Sequence, residues 1–214
     1  MAETESQIFH YRLFPVCEKD KPIELLPFLE ASTSLVEFIS TFGTVFMAVR
    51  LDMNGNIATL HSTRKDERFK FVTVEDVIEY HLVNQVAEPK TELNALIWLN
   101  RALEYVHQFL QLYIKDHEKG VKNENLTPLL TEAYQKTLRQ YHNFIVQNLV
   151  FLCLKAAPSR KKLFTPLFER VDLKGIGDDC EFEREEQLLR EIKLYASHLN
   201  EIISKINLLL KKLE

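Results

Sequence analysis

A carboxylate and a carboxamide stand four residues apart in the segment TVFMAVRLDMNGNIATLHS. If this segment is one helix, Asp52 and Asn56 lie on the same face, one turn apart. A carboxylate accepts hydrogen bonds from two hydroxyl groups, and a carboxamide both donates and accepts. The pair is therefore suited to holding the neighbouring hydroxyl groups of a ligand. A local polar kink at Asn54 and Gly55 explains the same residues without any ligand.

Trp98 is the only tryptophan of the chain. Its flat indole could stack on the apolar face of a sugar ring while its N–H group donates a hydrogen bond. Asn94 precedes it by one helical turn and adds a polar group on the same face. The alternative is that Trp98 is a core residue of a buried helix, and the sequence alone leaves both interpretations open.

His142 lies between Leu138 and Ile145 on an apolar stripe, where an imidazole needs a hydrogen-bond partner. It is either a core histidine with such a partner or a group that binds a ligand. No second histidine, cysteine or carboxylate stands near it at ligand spacing, so no metal site is predicted.

The recognised catalytic and nucleotide-binding motifs are missing from the sequence: there is no GxSxG, HExxH, P-loop or GxGxxG pattern. We therefore expect neither enzymatic activity nor a cofactor. The alternative is a hydrolase without a signature motif, in which Asp52 and His142 would form an acid–base pair.

Phenylalanine is frequent, with 14 residues, and several of them cluster at Phe38, Phe42 and Phe46 and again at Phe144 and Phe151. These side chains could line an apolar cavity. Ordinary core packing explains each one equally well when it is taken singly.

Length and charge restrict the class of protein. With 214 residues, 46% of them hydrophobic, the chain suits a single domain over 1–214. A formal net charge of -4 offers no overall basic field for nucleic acid. Three scattered cysteines form no disulfide framework, and the acidic N-terminus does not resemble a signal peptide. The longest apolar run, at 144–154, is shorter than the ~20 residues of a membrane span. We expect a soluble, cytoplasmic protein.

Apolar residues recur at spacings of three and four, and only five glycines and seven prolines interrupt them. This pattern predicts an all-α chain. The predicted helices span 27–43, 44–62, 73–86, 91–117, 128–156, 159–169 and 186–212. The helix at 91–117 carries large apolar residues on more than one face, so we expect it to be central and largely buried.

Five motifs, PFLEA, FGTVFMAVRLDMNGNI, ALIWLNRAL, LRQYHNFIVQ and KAAPS, follow one another along the chain. In order and spacing they resemble the glycolipid transfer protein family from about Pro27 to Pro158, and more loosely to the end. The resemblance implies a two-layer helical sandwich of about eight helices. It also implies that the protein carries one sphingolipid between membranes, as a monomer with transient membrane contact.

The resemblance assigns roles to the residues singled out above. Asp52 and Asn56 would bond sugar hydroxyls, Trp98 would stack on the first sugar ring, and His142 would bond the ceramide amide. Phe144 stands where the family has a tryptophan that contacts the membrane. The apolar lining around the lipid chains would come from Phe38, Phe42, Val45, Phe46, Val49, Leu96, Tyr105, Phe109, Leu138, Ile145 and Leu149.

Two departures from the family pattern concern the head group. The family's lysine three residues after the asparagine is Thr59 here, and the C-terminal segment NLLLKKLE has no counterpart of its C-terminal tyrosine. Thr59, Asn94 and Arg50 are further candidates for head-group contacts, and Arg101 is another cation that could compensate.

The ligand expected from this pattern is a glycosphingolipid with a neutral sugar. The ceramide-1-phosphate branch of the family places basic residues where this chain has Asn56 and Trp98, and those charges suit a phosphate. A ceramide-1-phosphate carrier and a sphingolipid sensor are the alternative functions.

Overall fold

The computed structural model of the chain describes residues 7–8, 11–18, 20–41, 43, 46–65, 71–83, 91–168 and 181–213. The described residues form an all-α fold, as predicted. Its helices are α1 (Leu25–Ser40), α2 (Met47–Lys65), α3 (Val74–Val83), α4 (Thr91–Glu118), α5 (Thr127–Lys136), α6 (Phe144–Lys155), α7 (Arg160–Phe168) and α8 (Glu181–Leu210). Short 3-10 helices span Leu138–Tyr141 and Lys211–Leu213.

A small pair of antiparallel strands precedes the helices. Strand β1 (Gln7–Ile8) pairs with β2 (Tyr11–Arg12), and Arg12 N–H donates to Ser34 Oγ of α1 at 2.9 Å. The sequence pattern gave no sign of this pair, because strands of two residues are too short for an apolar alternation to be visible.

Helix α4 is the central element, as its apolar residues on several faces predicted. It packs against α2, α3, α5 and α8. Leu96, Leu99 and Leu103 are fully buried on one side of it. On the side of α8, Asn100 Nδ2 donates to Asn207 Oδ1 at 2.7 Å, which fixes the register of the two helices.

The predicted helix at 128–156 is wrong as a continuous element. Helix α5 ends at Lys136, Thr137 leaves helical geometry with φ -122° and ψ -83°, and a 3-10 turn follows. His142 is extended, with φ -98° and ψ 135°. Apolar residues on both sides of the break keep the helical spacing, so the periodicity alone could not reveal it.

Side chains stabilise the break between α5 and α6. The Asn143 side chain accepts from Val146 N–H at 3.0 Å and caps the first turn of α6. Gln147 Nε2 donates to the carbonyls of Arg139 at 3.1 Å and His142 at 2.8 Å. Backbone groups that a continuous helix would pair are thus satisfied locally.

The last helix is also longer than predicted, since α8 begins at Glu181 rather than near 186. Across the described ranges, no helix combines the length and apolar character needed to cross a membrane.

We expect Leu99→Ala to lower the free energy of unfolding by about 2–5 kcal/mol, because Leu99 is fully buried and its truncation leaves a cavity in the core. Urea unfolding followed by circular dichroism measures this. Leu208→Ala on α8 is the matched control, since that leucine is 66% exposed and its loss should stay within about 0.5 kcal/mol. Equal losses for the two variants would contradict the central position of α4.

Candidate functional site

A cavity of about 560 Å³ lies between the helices. Among the described residues, side chains from every α-helix except α3 contribute to its wall. Most of the lining is apolar, which is typical of a site for a hydrophobic ligand. On α4 most of the side chains that border the cavity lie on a face next to the one that carries Leu96, Leu99 and Leu103, so one helix contributes to both the solid core and the cavity.

The polar residues of the wall gather at one end of the cavity. Asp52 and Asn56 of α2, Asn94 and Trp98 of α4, and His142 all line it there. Asn56 Nδ2 donates to Asp52 Oδ2 at 3.4 Å, as expected for residues one turn apart. Helix α2 is continuous through Gly55, so the Asp52–Asn56 pair lies on one helical face. The four residues singled out from the sequence thus lie together.

Aromatic rings hold this polar end in place. The His142 ring stacks on Trp98, with centroids 5.7 Å apart and planes at 16°. Tyr141 meets Trp98 edge-on at 6.4 Å. The Arg101 guanidinium lies 3.6 Å from the centroid of Tyr141 and 4.9 Å from that of Trp98. Such cation–π contacts restrict the indole and leave its orientation well defined.

Tyr134 fixes the orientation of the His142 imidazole. Tyr134 Oη lies 3.1 Å from His142 Nδ1, within hydrogen-bond distance, and the two rings are in contact. Burial raises the pKa of Tyr134, so its hydroxyl remains protonated. With Nδ1 engaged by Tyr134, Nε2 is the imidazole nitrogen left for a ligand.

Asp52 and His142 influence each other's charge. Burial lowers the pKa of His142, the Asp52 carboxylate raises it, and the Arg101 guanidinium lowers it again. Burial raises the pKa of Asp52, and His142 opposes that shift. At neutral pH the histidine is therefore uncharged, and its ring nitrogens provide one donor and one acceptor.

The chemistry available here is hydrogen bonding beside an apolar chamber. A carboxylate, two amides, an imidazole and an indole converge on one end, and hydrocarbon surrounds the rest. In the part of the chain that the structure describes, no three histidine, cysteine or acidic side chains are grouped so as to hold a metal ion.

Seven of the residues predicted to line the cavity do border it. They are Phe38, Phe46, Val49, Tyr105, Phe109, Leu138 and Leu149. Leu96 and Ile145 do not, and the prediction is corrected for both. Leu96 is fully buried in the core on the other side of α4, whereas Ile145 is 78% exposed on the outer face of α6. Phe42 and Val45 lie outside the described residues.

The remaining candidates occupy different positions. Asn94 lines the polar end, but Thr59 and Arg50 do not border the cavity. Thr59 Oγ1 donates to Gly55 O of its own helix at 2.9 Å. Arg50 Nε is buried without a hydrogen-bond partner among the described residues. Phe144 is 77% exposed at the start of α6.

Tyr134 was missed in the sequence because it precedes His142 by eight residues, which is not a spacing that brings side chains together on a helix. Tyr134 and His142 come into contact because the chain breaks between α5 and α6. The signal that could have revealed the break is Asn143, a favoured N-cap residue followed by an apolar run.

Comparisons with known proteins give a consistent result. The family model described as Glycolipid transfer protein (GLTP) matches residues 23–169. A glycolipid transfer protein of Danio rerio is 31% identical over 192 residues, which cover 88% of this chain and 90% of that protein. The Pleckstrin homology domain-containing family A member 8 of Danio rerio is 31% identical over 74% of this chain but only 29% of its own length.

Solved structures share the fold. The GLTP-fold of FAPP2, described as selecting simple glycosphingolipids, superposes with a TM-score of 0.76 at 24% identity and covers 98% of this chain and 93% of its own. Mouse ceramide-1-phosphate transfer protein also gives a TM-score of 0.76, at 19% identity, with 91% of this chain and 89% of its own covered.

Two substitutions should move the pKa of His142 in opposite directions. Arg101→Gln removes a positive charge that disfavours the imidazolium and should raise this pKa, whereas Asp52→Asn removes the negative charge that favours it and should lower it. NMR titration of the histidine rings measures both shifts. His117 is the control, because it lies about 24 Å from Arg101 along α4 and should titrate unchanged. Shifts of the same sign would contradict this electrostatic arrangement.

Proposed function

The chain belongs to the glycolipid transfer protein family, and on that premise we propose that it carries a single glycosphingolipid with a neutral sugar head group from one membrane to another. The observation that carries this proposal is the grouping of Asp52, Asn56, Trp98 and His142 at one end of an otherwise apolar cavity. A lipid has a polar head group and apolar chains, which match the polar end and the apolar remainder of the cavity.

The head group would occupy the polar end. Asp52 accepts hydrogen bonds from two sugar hydroxyls, and Asn56, one turn away, donates to and accepts from the next. The Trp98 indole contacts the His142 ring, Arg101 and Tyr141, and the part of its flat surface that these groups leave open would stack on the sugar ring. Asn94 is a further hydrogen-bonding group at this end.

His142 would bond the amide of the ceramide. Its Nδ1 faces Tyr134, so Nε2 is available to the lipid. Asp52 lies near enough to His142 to affect its pKa, so a carboxylate and an imidazole can act on one amide together. Sphingolipids with a ceramide backbone share this amide. The contact with His142 would therefore select for sphingolipids independently of the head group.

The remainder of the cavity would enclose hydrocarbon. Moving one methylene from a bilayer into water costs ~0.8 kcal/mol, so a lipid with long chains crosses water only inside an apolar shelter. Transfer requires no bond to be broken, and the proposed activity is therefore not enzymatic and needs no cofactor.

A neutral head group is favoured over a phosphate. The side chains that border the polar end carry one carboxylate, amides and an uncharged imidazole, and Thr59 does not reach it. A phosphate would meet the Asp52 carboxylate, and none of the described side chains that line the cavity is a lysine or an arginine. The relatives described as glycolipid transfer proteins point the same way.

We expect Asp52→Asn to weaken glucosylceramide binding about ten- to hundredfold, because hydrogen bonds to a charged acceptor are lost while the shape is kept. Binding and transfer between vesicles are measured with the same fluorescent lipid. Thr59→Ala is the matched control on the same helix, since Thr59 Oγ1 donates to Gly55 O of that helix and does not border the cavity.

Three results would contradict the proposal: no binding by the wild-type protein, equal binding by Asp52→Asn, or binding without transfer. The last of these would indicate a sphingolipid sensor. Tighter binding of ceramide-1-phosphate than of glucosylceramide would overturn the assignment of a neutral head group.

Helix α6 is the proposed membrane contact. Its outer face exposes Phe144, Ile145, Phe151 and Leu152. Its other face lines the cavity through Val146, Leu149, Val150, Cys153 and Leu154. One helix thus joins an apolar surface to the apolar interior, which is where a lipid chain would pass from bilayer to protein.

We expect Phe144→Ala to slow transfer between vesicles several-fold while the affinity for a micellar or monomeric lipid stays unchanged, because Phe144 lies outside the cavity. Phe144→Trp should retain the rate, since an indole is favoured at a membrane interface. Leu208→Ala removes another largely exposed apolar side chain, from α8, and serves as control. An unchanged rate in Phe144→Ala would show that this residue does not dock the membrane.

A further inference from the structure

Tyr105 belongs to the apolar part of the cavity wall and carries a hydroxyl group. It follows Trp98 by seven residues on α4, so the two residues share a helical face about 10 Å apart along the axis. Both line the cavity. Around Tyr105, α4 presents Ala102, Val106 and Phe109 to the same space, and all three are apolar.

The Tyr105 hydroxyl is enclosed by protein and has no hydrogen-bond partner among the described residues. Burial, together with nearby Cys153 and Tyr134, raises its pKa, so the group stays protonated and can both donate and accept. Tyr134 uses its own hydroxyl on His142 Nδ1. A thiol such as that of Cys153 is only a weak partner.

An unpaired buried hydroxyl costs free energy that a phenylalanine at the same position would not. Phe109, one turn further along α4, shows that this wall accepts a plain aromatic ring. The hydroxyl of Tyr105 therefore adds nothing to packing, and its chemistry points to a polar group that enters with the ligand.

We propose that Tyr105 forms a subsite for a hydroxyl group on a hydrocarbon chain of the bound lipid. This inference rests on the proposed function, because it requires a lipid chain to run along α4 below the head group. The Tyr105 side chain borders the cavity while its Oη is enclosed by protein, so the proposed contact requires the side chain to turn Oη towards the lipid chain.

The position of Tyr105 sets the depth of the subsite. An extended chain advances about 1.3 Å per carbon, given C–C bonds of about 1.5 Å. Over the ~10 Å between Trp98 and Tyr105, the hydroxyl falls within roughly the first eight carbons below the head group. The ligand class is a sphingolipid whose acyl or sphingoid chain is hydroxylated within this range.

For each hydroxyl position the test is a cycle of two proteins and two ligands, the plain lipid and its hydroxylated version. Wild type and Tyr105→Phe are each titrated with an N-octadecanoyl glucosylceramide and with versions that carry one hydroxyl near the amide, about eight carbons below the head group or at the methyl end of the chain. For each protein we take the ratio of the dissociation constant of the plain lipid to that of the hydroxylated lipid. We expect this ratio to be about three- to tenfold larger in wild type than in Tyr105→Phe for one of the first two hydroxyl positions. A factor of this size corresponds to one neutral hydrogen bond.

Tyr195→Phe is the matched control, because Tyr195 also lines the cavity but stands on α8. The inference is overturned if the ratio is the same in wild type and Tyr105→Phe at every hydroxyl position, or if Tyr195→Phe changes it equally. It is also overturned if only the hydroxyl at the methyl end responds. Failure of the wild type to bind even the plain lipid would refute the proposed function, and this subsite with it.

Discussion

Helix α4 has to satisfy two environments that make opposite demands on its side chains. Leu96, Leu99 and Leu103 fill a dense core, where any lost contact is costly. Trp98, Tyr105 and Phe109 border a cavity, where the wall must keep its shape with no protein atoms in front of it. The packed leucines hold α4 in position, and this lets its other side chains border the cavity. Large rings on the cavity face and the Asn100–Asn207 bond to α8 hold the helix in one register.

The break between α5 and α6 builds the polar end on that framework. A continuous helix would direct Tyr134 and His142 to different sides, since eight residues correspond to about 80° of rotation beyond two full turns. The 3-10 turn and the Asn143 cap bring the two side chains together and turn the imidazole flat against Trp98. The break in the backbone between α5 and α6 therefore also sets the position of His142 in the cavity wall.

The sequence predicted the helical elements well, because a spacing of three and four is a property of each helix by itself. The sequence could not distinguish apolar residues of the core from those of the cavity wall or of the surface. Leu96 in the core, Leu149 at the cavity and Ile145 at the surface all follow the same periodicity. Their differences come from which neighbouring element covers each face. The resemblance to the family grouped Asp52, Asn56, Trp98 and His142, whereas the Tyr134 contact and the Arg101 stacking required the fold.

Helix α6 makes few contacts with the core, and this lowers its local stability. Only Cys153 and Leu154 of its twelve residues are buried, since one face is exposed and the other borders the cavity. A helix with so few core contacts is held by a small fraction of the total folding free energy. We therefore expect α6 to open more readily than α4 or α8. The part of the cavity wall that α6 forms is thus expected to be less stable than the part that α4 forms.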